Sequence, residues 1–212
     1  MPYGLSSTTL ISPSSVGSRS KAFRLLSSVQ GSDDIARLHA FLSEMYRELV
    51  ELQPERLVHS AGFFARWTTS GRVERETLLA KVIMVQRLAS HAGEGCILLR
   101  HAVLVQRGYL AAIRSSVDDF EMAFQGDCES EWINCQKETG ARAYREVEAE
   151  IARMESLLET IRSIATCQIC SWVKEAESAI EGKGFGPERL RVLKASHQEM
   201  TRSVKYCLAL CA

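Results

Sequence analysis

Four cysteines stand in the only spacing in this chain that suggests metal or redox chemistry. Cys167 and Cys170 form a CxxC pair, and Cys207 and Cys211 lie one helical turn apart near the C-terminus. A CxxC pair works as a redox centre when it follows a strand, and no strand-like alternation surrounds this one. A structural zinc site needs four ligands, so all four thiols would have to converge from two antiparallel helices. The commoner state of a helical cysteine is a small apolar packing residue. The five histidines, His39, His59, His91, His101 and His197, form no HExxH pattern. Gly182, Gly184 and Gly186 alternate as in a phosphate loop but follow no strand. There is no GxxxxGK[ST] and no GxSxG. These readings give no catalytic residue, no metal and no cofactor, and point to a protein that is not an enzyme and takes no small-molecule substrate.

The elements that would position any site are helices. No proline stands between Pro54 and Pro187, so nothing in that stretch removes a backbone donor or clashes with a preceding turn. Apolar residues recur at Ile35, Leu38, Leu42, Met45, Leu49 and Leu52, alternately three and four apart. The same seam recurs at Val147, Ile151, Met154, Leu158, Ile161 and Ala165, and again at Leu193, His197, Met200, Val204, Cys207 and Cys211. The expected fold is all-α, an elongated antiparallel helical bundle or coiled coil of six helices. The first starts at Ser32 and the second at Pro54, with Thr68 to Gly71 as a turn. The third runs over 72–92 and the fourth over 96–124, separated by Gly93 and Gly95. The fifth runs from 131 towards 180 and is much the longest; the sixth starts at Pro187.

Three regions follow. Residues 1–32 carry ten serines, three basic residues and no acid, a composition expected to be disordered. It also suits an organelle transit peptide or a secretion leader, and Ser12-Pro13 suits proline-directed phosphorylation. Residues 33–125 would form N-terminal helical hairpins, and 126–212 the long coiled-coil helix with the C-terminal helix.

The 26 basic and 26 acidic side chains cancel, leaving no broad positive field for nucleic acid or an anionic membrane. No run of 18 apolar residues is present, so no membrane span is expected. Seven cysteines, an odd number, read as reduced thiols of a cytosolic or nuclear protein. Partners are expected to be other helical subunits. The candidate contact residues are Phe63, Phe64 and Trp67, an aromatic patch, and Ile151, Met154, Leu158 and Ile161, the seam of the fifth helix.

The run Ile151-Ala-Arg-Met-Glu-Ser-Leu-Leu-Glu-Thr-Ile-Arg-Ser-Ile164 resembles part of the second subunit of the augmin-like complex. Glu44-Met-Tyr46 and His59 to Phe64 are similar to it more loosely; the proline-containing junction of that family is absent. The resemblance implies a non-enzymatic coiled-coil subunit of an assembly that recruits nucleating machinery to spindle microtubules, hence a cytoplasmic, cytoskeletal location. The alternative is a compact helical effector or organelle protein carried by residues 1–32.

Overall fold

The computed structural model describes residues 33–60, 68–123, 131–182 and 186–211, and all regular structure among them is helical. Helix α1 (33–51) buries Leu38, Leu42, Met45 and Leu49 on the predicted seam. Leu52, also buried, ends it, and Pro54 opens the short α2 (Pro54–His59) at a position where a missing N–H loses nothing.

The next helix, α3 (Thr69–Ala123), is 55 residues long, about 80 Å at the standard rise. Thr68 caps it, its hydroxyl accepting from the Gly71 N–H at 3.1 Å. The expected break at Gly93 and Gly95 does not occur: the third and fourth predicted helices are one. These glycines serve packing instead. A Cβ on Gly93 would stand 3.2 Å from the Ala165 Cβ, and one on Gly95 would stand 3.7 Å from Leu38. A helix-interior glycine costs about 1 kcal/mol against alanine, which close approach to the neighbouring helix offsets at Gly93. Gly93→Leu is therefore expected to destabilise the fold by about 1–3 kcal/mol through overpacking. Thermal melts check this, since the same change in an inter-helix loop would be near neutral.

The long helix expected from 131 is present but is not the longest; α3 outruns it. It comprises α4 (Glu131–Ser163), a π-helical turn (Ile164–Gln168) and α5 (Ile169–Glu181), and its backbone stays right-handed helical across both junctions. The π turn has a sequence cause. Buried positions before it are Ile151, Met154, Leu157, Ile161 and Ile164; the next is Ile169, five residues on rather than four. The extra residue in the turn, closed by the Ile169 N–H to Ile164 carbonyl bond, returns the apolar face to the core. Gly182, at φ 67°, ends α5 in the left-handed conformation, and its N–H bonds the Ser178 and Ala179 carbonyls. Helix α6 (Pro187–Cys211) buries Leu193, Met200, Val204 and Cys207.

Consecutive long helices run antiparallel. Along α1 and α3, Leu38 lies by Gly95, Phe41 stacks on His91, and Lys81 binds Glu48 at 2.8 Å and Glu51 at 2.5 Å. Along α3 and α4, Gly93 lies by Ala165 and Arg107 pairs with Glu155. Along α4 and α6, Arg153 donates to the Leu210 carbonyl at 2.7 Å, and the Ser156 and Tyr206 hydroxyls meet at 3.0 Å. α2 is tied to α6 by Glu55–Lys194 at 2.7 Å and to α3 by Arg56–Glu74 at 3.6 Å. One core draws on residues from both sides of position 125.

Candidate interaction surface

Helix α3 carries a heptad-spaced stripe along its buried side, with Leu88 buried beside it. Val82, Val85, Ala89, Ala92, Leu99 and Val103 are all buried. α1 covers one flank of that stripe and α4 the other, so a third face remains open. Ile83, Ile97 and Leu104 stand on this face at a single heptad position, with Ser90 between the first two. Their relative exposures are 44%, 71% and 58%, and Met84 and Val105 beside them are also exposed. Scattered exposed apolar residues are ordinary. Three at one heptad position on one rigid helix form a line that a partner helix can follow.

An open groove between α3 and α4 runs alongside. Cys96, Ile97 and Leu104 line it from α3, and Leu158 and Arg162 from α4. Arg107 and Glu155 bridge it, and Glu94, Arg100 and Glu159 add charges of both signs. Such a lining can hold and orient a helix.

The predicted contact residues fall differently. Phe63, Phe64 and Trp67 lie outside the described residues. Ile151, Met154 and Ile161 are at most 6% exposed, packed in the chain's own core, which corrects their assignment as a partner-facing seam. The seam is real, but helices of the same chain close it. Leu158 is half-buried against the core and lines the groove. In the sequence the open face of α3 is hidden, because the expected break at Gly93 separates Ile83 from Ile97 and Leu104.

The thiols do not assemble. Cys167 and Cys170 are exposed, Cys207 is buried and Cys211 half-buried. Among the described residues no three histidines, cysteines or acids come together to hold a metal. Burial pushes the Cys96 thiol up to about 11 and Cys207 to about 12, so both pack as neutral thiols. Among the described residues, no helix is long and apolar enough to cross a membrane.

His197, a predicted seam residue, lies half-buried with its ring 6.2 Å from that of Trp172 and its Nδ1 without a hydrogen-bond partner. Burial lowers its pKa, and nearby Glu55 partly opposes this. The unfolded chain therefore takes up a proton near pH 6.5 that the folded chain refuses. Stability is expected to fall as pH drops from about 7 through the acid side of 6.5. Chemical denaturation across that range checks this, and His197→Phe should flatten the dependence. Glu51 and Glu55, whose pKa values Lys81 and Lys194 lower by hydrogen bonding, act in a separate window below 4.5.

The chain matches no known family model, no characterised protein and no solved structure.

Proposed function

We propose that this chain is a non-enzymatic helical interaction subunit that engages a partner helix through the open face of α3. The observation that carries the reading is the exposed line Ile83, Ile97 and Leu104 on one helix face. A self-sufficient bundle gains nothing from apolar side chains aligned in water, whereas a subunit of an assembly covers them. The groove beside the line supports the same reading, because its arginines and glutamates suit register and orientation rather than proton transfer. The resemblance of 151–164 to the augmin-like subunit supplies a setting for the proposal, spindle microtubules, although the residues that carry it here pack the chain's own core.

The test compares the full-length chain with the variant carrying Ile97→Glu and Leu104→Glu, both expressed in cells. The wild type should migrate in complexes larger than the purified chain forms by itself or should follow spindle microtubules, and the variant should lose this while keeping its helix content. Identical migration and location of the two would refute the proposal.

A further inference from the structure

We infer that α6 is a releasable helix, which opens from the bundle while α1, α3 and α4 stay folded and so bares one side of the core. The inference is independent of the α3 face and comes from what lies between α5 and α6. This interface is polar at three successive levels. Gln168, at the end of the π turn, and Trp172 and Glu175 on α5 follow one another four and three residues apart, on one helix face. Helix α6 meets them in antiparallel order. The Gln168 amide donates to the Ser203 hydroxyl at 3.1 Å, the Trp172 ring lies 6.2 Å from that of His197, and Glu175 Oε2 stands 3.5 Å from Arg189 Nε without hydrogen-bond geometry. Each level leaves a buried atom without a hydrogen bond: Gln168 Oε1, Trp172 Nε1 and Glu175 Oε2, with His197 Nδ1 added at the middle level. Among the described residues two further buried side-chain atoms are in this state, Arg75 Nε and Gln106 Oε1, and both belong to α3.

A buried polar atom without a partner has given up its hydration for nothing, and it regains that hydration when the helices part. Native cores pair most such atoms, so four at one interface mark it as the place where opening recovers most. The apolar hold on α6 is also thin for its length. In 25 residues it buries Leu193, Met200, Val204 and Cys207, whereas the shorter α1 buries as many, Leu38, Leu42, Met45 and Leu49, with Leu52 just beyond its end. The ties of α6 outside this interface include two exposed pairs, Lys194 with Glu55 and Tyr206 with Ser156, which add little. Because α6 packs on both α4 and α5, its departure uncovers part of the stripe that these helices bury. The elements held by the lowest local stability are the ones a fold can move without unfolding.

The test is native-state hydrogen exchange on the purified full-length chain at neutral pH, read segment by segment by mass spectrometry in a series of low denaturant concentrations. Amides of α6 are expected to exchange roughly ten-fold or more faster than those of α3 between Leu78 and Val103. Their exchange should also depend less steeply on denaturant, because a local opening exposes less surface than global unfolding. His197→Leu removes one of the four unpaired atoms and keeps an apolar side chain at the position. It should slow exchange in α6 by roughly five-fold or more. Exchange in α6 as slow as in α3, with the same denaturant slope, overturns the inference. So does exchange in α6 that His197→Leu leaves unchanged or accelerates. Neither outcome touches the interaction-subunit reading, which stands or falls with the Ile97→Glu and Leu104→Glu variant in cells.

Discussion

Trp172→Ala is expected to lower the stability of the folded chain by about 3–5 kcal/mol, the range for emptying a large aromatic site in a core. Among the described residues Trp172 is the largest of the fully buried side chains, at 0% exposure on α5. It lies where α5 meets α6, beside the His197 ring. Long helices on either side cannot collapse into the space without losing register elsewhere, so the cavity term should be felt nearly in full. Trp172→Phe should cost much less, for two reasons. It keeps most of the ring, and it removes an indole N–H that is buried without a hydrogen-bond partner. An unsatisfied buried donor costs about 1–3 kcal/mol, so its loss offsets part of the lost volume. Denaturant titrations followed by circular dichroism give the comparison. An alanine variant within experimental error of wild type would show that this junction is not a tightly packed part of the core. The alanine variant should also admit water to His197, and the stability loss between pH 7 and 5.5 should shrink accordingly.

Much of the fold was legible because helical periodicity is a local signal. The seam Leu38, Leu42, Met45, Leu49 of α1 and the seam Leu193, Met200, Val204, Cys207 of α6 are buried where the spacing put them. Pro54 and Pro187 open helices, and Gly182 closes one. Gly93 and Gly95 mislead because a glycine that ends a helix and one that admits a neighbouring helix look alike in sequence; only the position of Ala165 separates them. The π turn was hidden for a related reason. A spacing of five between Ile164 and Ile169 breaks a heptad, and the break can mean a polar core position or an inserted residue. Above all, a seam shows that a helix has a partner without showing whether the partner is in the same chain. Ile151, Met154 and Ile161 have theirs within it. The open face of α3 is the converse case, an apolar line beside a buried seam already filled by Val82, Ala89 and Val103.

Leu157→Glu is expected to abolish cooperative folding at neutral pH, whereas its neighbour Leu158→Glu should leave a folded, helical chain. A strict heptad through Ile151, Met154 and Ile161 puts Leu158 on the seam and Leu157 off it. The structure reverses their standing: Leu157 is 1% exposed, while Leu158 is half-buried at the groove. The core stripe of α4 is wider than a two-stranded seam because this helix packs against α3 on one side and α6 on the other. A glutamate at 157 would place an unpaired charge in that dry stripe, at a cost of several kcal/mol, comparable with the whole stability of an ordinary domain. Acidification should recover part of the loss, because the protonated carboxyl no longer carries the charge. A glutamate at 158 can turn along the groove towards Arg162 and water, giving up part of one leucine's burial, about 1–2 kcal/mol. Circular dichroism and thermal melts of the two variants decide between the stripes. A folded Leu157→Glu beside an unfolded Leu158→Glu would place the core of α4 on the heptad line, and would mean that the groove between α3 and α4 is closed in solution.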